Sequence, residues 1–142
     1  MNGSLKASPS RFSLWVVLAI FLGLSSCDGY QDIVRVRAPS PDGKVDALLV
    51  EREPGFLGAT VATPMLVYIV KAGAPADEDK LVLQGDNFDD LNIKWLEPKL
   101  LAITYKKGRI FKFTNFWEEQ TSDKEIYVVE VQLRPTSSRS LD

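Results

Sequence analysis

The amino-acid sequence predicts an all-β fold: a single small antiparallel β domain of about eight short strands behind an N-terminal signal helix. Three observations carry this. Short apolar, β-branched runs recur between turn residues at the spacing of a sandwich or barrel. Several of them alternate apolar and polar residues, and nothing after residue 27 sustains a helical period. The connections are short and parallel neighbours need long crossovers, so pairing should be mostly antiparallel, as a sandwich-like domain or a blade-like meander.

The first element is the leader. Residues 1–13 contain Lys6 and Arg11 and no acid, Leu14 to Leu24 is an unbroken apolar run, and the small residues Ser25 and Ser26 follow. That is the charge, length and cleavage-site order of a secretory signal. A bilayer span needs about 20 apolar residues, and this run falls short even when counted from Phe12. The chain therefore divides into a signal peptide (1–26), a short tether (27–31), a β domain (32–134) and a polar tail (135–142).

Within the domain, residues 31–38 carry Ile33, Val34 and Val36 and form the first expected strand. Pro39-Ser40-Pro41-Asp42-Gly43 is a strong turn, because proline presets φ and glycine accepts a positive φ. Residues 44–52 form the second strand and 53–59 a loop. Residues 61–71 are apolar on both faces around Met65 to Val70, the mark of a central strand, which should begin after Pro64 or bulge there. A polar loop (72–79), a short strand (80–84) and a turn (85–90) come next.

Residues 91–96 place Leu91, Ile93 and Trp95 on one face. Glu97-Pro98 turns the chain into a strand at 99–105, and Lys106-Lys107-Gly108 makes a hairpin into 109–114. Residues 115–123 read as a loop. The last strand, 124–133, aligns Tyr127, Val129, Val131 and Leu133. A short helical turn fits 77–81 or 115–120.

Cys27 is the only cysteine, and it closes the sequence Leu24-Ser25-Ser26-Cys27. This pattern resembles the lipobox of bacterial lipoproteins. The resemblance implies cleavage before Cys27, diacylglycerol on its thiol, acylation of the new amino group and a membrane-held protein. Asp28 resembles an inner-membrane retention signal, which favours the periplasmic face of the inner membrane, with the outer membrane as the alternative. Ser40-Pro41-Asp42-Gly43-Lys44 resembles the blade turn of TolB-type propellers, and Ile93 to Ile103 looks like a degenerate second copy. A closed propeller needs more strands than this chain holds. Together with Glu51-Arg52, Gly58-Ala59-Thr60, Ile93-Lys94-Trp95 and Leu101 to Tyr105, the arrangement also resembles small bacterial proteins, many lipidated, classed as a domain of unknown function. No activity or site residue carries over from them.

Composition limits the chemistry. The chain of 142 residues has 17 basic and 19 acidic side chains and no histidine. Losing Lys6 and Arg11 with the leader leaves 15 basic against 19 acidic residues, a net charge of −4. That balance gives no pull toward nucleic acid. Without histidine the commonest general base and metal ligand are missing. A lipidated Cys27 leaves no thiol for a disulfide. No cofactor motif is present.

Three groups of residues remain as candidate sites. Phe116 and Trp117, with Arg109 and Lys112, mix aromatics and cations as partner-binding surfaces do. Phe111 and Phe113 should share a core face with Lys112 outside. Arg52, Gly55 and Gly58 form a candidate ligand loop, with Arg52 available for an ion pair with Glu51 or with a neighbouring strand. Asp86, Asp89 and Asp90 with Asn87 offer oxygens to a hard cation, though in no EF-hand spacing. The leading expectation is a noncatalytic, lipid-anchored module that meets another envelope protein. The alternatives are a small-ligand or cation-binding lipoprotein and, least supported, a hydrolase without histidine.

Overall fold

The computed structural model describes residues 29–54, 62–120 and 124–136. The expected signal peptide, Cys27, Asp28, Gly55, Gly58 and the tail beyond Thr136 lie outside the described residues.

Among the described residues, nine strands form two sheets. A five-stranded sheet has the order β1 (Tyr30–Pro39), β2 (Val45–Pro54), β3 (Met65–Lys71), β4 (Leu81–Asp89), β7 (Lys107–Phe113). A four-stranded sheet has the order β5 (Asn92–Glu97), β6 (Leu100–Tyr105), β9 (Ile126–Pro135), β8 (Phe116–Gln120). The sheets share one core: Val45, Ala47, Leu49, Val67 and Ile69 face Ile93, Leu101, Ile103, Trp117, Tyr127 and Val129. Each large apolar side chain buried there contributes about 1.5–3 kcal/mol. The domain is thus a sandwich rather than a single blade. The Trp95 indole donates to Ala38 O at 2.8 Å and ties β5 to the strand opposite it.

The Ser40-Pro41-Asp42-Gly43 turn forms as its residues predict. Gly43 takes φ +69°, and its N–H donates to Ser40 O at 2.9 Å. Ser40 N–H closes the hairpin on Val45 O at 2.8 Å. The third strand begins at Met65, directly after Pro64, and is central, with neighbours on both sides. Its outward residues Leu66, Tyr68 and Val70 join Leu48, Val50 and Leu81 in a second apolar cluster on the outer face of the five-stranded sheet.

The expected polar loop at 72–79 is a strap across that outer face. Ala74 and Ala76 pack on the second cluster. Buried Asp46 accepts from Gly73 N at 2.9 Å and from Arg37 at 2.5 Å, and Arg37 also donates to Ala74 O at 2.9 Å. A 3-10 turn, Glu78–Lys80, ends the strap, capped by Asp77. Of the two places that suited a helical turn, this one forms; 116–120 is a strand.

Two expectations are corrected. Residues 85–89 are not a turn: β4 runs through them, with Asn87 (φ +52°) and Phe88 bulged between the pairs Asp86–Arg109 and Asp89–Lys107. The Phe88 ring fills the space over Gly85 and Gly108, which keeps the strand paired past the glycine. Lys106-Lys107-Gly108 is not a hairpin turn, because β6 and β7 belong to different sheets. That switch leaves β6 free to pair with β9, and the pairing is parallel. A parallel neighbour needs a long crossover, and β7 and β8 supply it.

Candidate functional site

The structure disperses the residues singled out from sequence. Phe116 and Trp117 lie on β8 rather than in a loop, so they point to opposite sides. Phe116 is 50% exposed and Trp117 only 6%. A joint Phe116–Trp117 surface therefore does not exist. Phe111 and Phe113 also part company. The register of β4 with β7 passes from Gln84–Lys112 to Gly85–Ile110, so Phe111 is the extra residue of a bulge. It is 58% exposed, whereas Phe113 and Ile110 pack on the core. Lys112 and Arg109 are exposed as expected.

Asp86 and Arg109, drawn from two different candidate groups, meet in a bidentate pair at 2.8 and 2.6 Å. The Arg109 hydrogen bond holds the Asp86 carboxyl below the usual carboxylate range, against partial desolvation. Asp86 is thereby occupied, and among the described residues no three acidic, histidine or cysteine side chains gather to hold a metal. Asp89 and Asp90 do not converge with it.

Arg52 is likewise engaged, not with Glu51 but with the neighbouring strand β1, the other partner its position allowed. It donates to Asp32 twice at 2.7 Å and to Glu78, with Tyr68 Oη at 3.4 Å. Its role is to hold β1 and the end of the strap to β2. Its hydrogen bonds keep Asp32 below the usual range, against partial burial. Burial, reinforced by Glu78, pushes the Tyr68 hydroxyl up to about 12. Glu51 pairs with Arg35 at 2.6 Å instead.

The strongest site is a cleft of about 540 Å³ at the end of the sandwich where β1 finishes. Its walls come from separate parts of the chain: Lys44 and Val45 at the start of β2, Lys71 and Ala72 at the end of β3, Lys99 between β5 and β6, and the β8 and β9 residues Trp117, Glu119, Glu125, Ile126 and Tyr127. The volume lies within the usual range for small-molecule sites.

Tyr127 is the centre of this site. Its hydroxyl donates to Asp42 Oδ2 at 2.7 Å, with Pro98 O a second acceptor at 3.0 Å. Burial, then the Asp42 charge, raises the hydroxyl above the ordinary tyrosine range. Asp42 itself is lowered: desolvation acts upward, but hydrogen bonds from Tyr127, Ser40 and the Lys44 N–H outweigh it. The Lys44 and Lys99 ammonium groups stand 5.3 and 4.8 Å from the Tyr127 ring centroid. Such contacts are attractive because the ring face is electron-rich.

Beside it, Lys80 lies 5.8 Å from the Trp117 ring centroid and 2.5 Å from Glu119, which Lys71 also approaches at 3.4 Å. The Lys80 hydrogen bond, opposed by partial desolvation and aided by Lys71, holds Glu119 below the usual carboxylate range. One polar group of the wall is unsatisfied. Trp117 Nε1–H is sealed from solvent and finds no acceptor among the described residues. A buried donor in that state costs about 1–3 kcal/mol.

Of the cleft, sequence reasoning singled out only Trp117, and for its exposure. Lys71, Lys80, Lys99, Glu119 and Tyr127 carry no local motif, Lys44 stands out only as the end of the Ser40 to Lys44 turn, and the six meet only through sheet pairing. No protein-family model, curated protein or solved structure is found to match this chain.

Proposed function

We propose that this chain is a lipid-anchored envelope protein whose β domain is a noncatalytic binding module, with the end cleft as its ligand site. The lipobox-like Leu24-Ser25-Ser26-Cys27 supports the anchor at Cys27, with Asp28 favouring the inner membrane. The cleft between the sheets, with an indole and a phenol in its wall and lysines around them, carries the binding reading. Binding through a pocket takes precedence over the partner surface at Phe116 and Trp117, since Trp117 is buried. The exposed edge strand β1, which presents Tyr30, Val34 and Val36, favours a second role in pairing with an envelope protein strand.

Two measurements test this. Full-length protein and its Cys27→Ser variant are fractionated from bacterial envelopes; the variant should run at the unprocessed size or leave the membrane fraction, and a variant that still sediments with membranes at the processed size refutes the anchor. Tryptophan fluorescence of the detergent-solubilised chain is titrated against a panel of small organic anions. At least one should shift the emission, and the shift should vanish in Trp117→Phe. A silent panel refutes the cleft.

A further inference from the structure

We infer that the end cleft takes an organic phosphate: a phosphate group held by Lys44, Lys71 and Lys99, with its organic part against Trp117 and Ile126. The inference rests on the reading of the cleft as a ligand site and names the chemistry of what enters it.

The charge comes first. Three ammonium groups line a cleft in a domain that is otherwise acidic, and a fourth, Lys80, adjoins it over Trp117. Glu119, which pairs with Lys80 and Lys71, offsets part of this charge, and the four ammonium groups still outnumber the wall's two carboxylates, Glu119 and Glu125. Lys44 and Lys99 both lie within 5.3 Å of the Tyr127 ring centroid, which sets two positive charges around one side chain of the wall. A multiply charged anion in the cleft is attracted by each of them.

The cation type narrows the anion. Among the described residues no arginine lines the cleft. Arginine is the residue that reads planar carboxylates by paired hydrogen bonds, whereas lysine binds phosphate as a point charge. The remaining wall is apolar and aromatic, with Val45, Ala72, Ile126 and the Trp117 ring. Inorganic phosphate would leave that wall uncovered.

Such a group can come from a soluble phosphate ester or from a phospholipid headgroup. The cleft lies at the Pro39 end of β1, whereas Tyr30, nearest Cys27, lies at the other end of that strand. A ten-residue strand spans about 33 Å, which places the cleft far from the attachment point and favours the soluble ester.

The test is calorimetric titration of the full chain in a neutral detergent. The probes are phenyl phosphate, inorganic phosphate, benzoate and dihexanoyl phosphatidic acid. Phenyl phosphate should bind, with inorganic phosphate and benzoate weaker by about tenfold or more. Lys44→Ala and Lys99→Ala should each weaken phenyl phosphate by about tenfold with the melting temperature of the free protein nearly unchanged. Tighter binding of the short-chain phosphatidic acid than of phenyl phosphate supports the phosphate site and assigns it to lipid headgroups. Benzoate binding equal to or tighter than phenyl phosphate overturns the phosphate inference while leaving the cleft a ligand site. So does phenyl phosphate binding that both lysine variants leave intact. No binding of any probe overturns the inference, and the wider fluorescence panel then decides the cleft separately.

Discussion

Gly108→Ala should cost as much as expelling one aromatic ring, and should cost almost nothing once that ring is gone. A Cβ at Gly108 would overlap Phe88 Cδ1 and lie 2.6 Å from Cε1, where real contacts stay above 3.0 Å. Phe88 has little room to retreat, because Gly85 lies under the same ring and Tyr105 meets its edge with centroids 5.8 Å apart. Its displacement forfeits the edge-to-face contact, about 0.5–1.5 kcal/mol, and part of the ring's burial, about 1.5–3 kcal/mol when complete. The sum is about 2–4 kcal/mol, read as a lower urea midpoint with an unchanged slope. In a Phe88→Ala background the added methyl meets empty space. The double-mutant cycle should therefore show a coupling of about 1.5–3 kcal/mol. If the two substitutions add within about 0.5 kcal/mol, Phe88 is not what excludes a side chain at Gly108.

Three further perturbations address the strap and the cleft. Asp46→Ala strands the Gly73 N–H and one arm of Arg37; with Arg37 partly exposed, the loss should be about 1–3 kcal/mol, and protease should cut first within 72–80. Cutting elsewhere with no loss of stability counts against the strap. Tyr127→Phe removes a donor to a carboxylate, lowers stability by about 1.5–3 kcal/mol, and lets the Asp42 carboxyl rise toward its ordinary range, which carboxyl NMR titration measures. The carboxyls of Asp32, Asp42, Asp86 and Glu119 are all lower in the folded chain, so their stabilisation is complete above the unfolded range near pH 4 and fades as pH falls through the folded values. Urea midpoints should hold from about pH 5 to 7 and fall below about pH 4, and Asp32→Asn should flatten part of that fall.

The contrast between what sequence reveals and conceals follows from the range of the interactions. The Ser40 to Gly43 turn and the two-sided burial of Met65 to Val70 are set by residues within one element, and both are legible. The strand Phe116–Gln120 escapes notice because only Trp117 faces inward unambiguously, and its glutamates suit a helical turn equally well. The bulge at Phe111 breaks the alternation that would otherwise pair it with Phe113, and no local residue announces it. The cleft is least legible. Lys80 and Glu119 are 39 residues apart, and Tyr127 and Asp42 are 85 apart. Each looks like an ordinary solvated charge or core aromatic until the sheets bring them together.

The position of β9 has a consequence for biogenesis. The last strand of the sequence is an interior strand of its sheet, wedged between β6 and β8, and it brings Tyr127 to the cleft. The five-stranded sheet can complete itself once residue 113 is available. The other sheet has only the β5–β6 hairpin until β9 arrives, and β6 presents an open edge meanwhile. If the chain crosses a membrane N-terminus first, the inner faces of both sheets stay partly uncovered until the final strand emerges. That interval is when a chaperone for exported chains would bind it, and when truncation or stalling near residue 125 would leave an aggregation-prone half-sandwich.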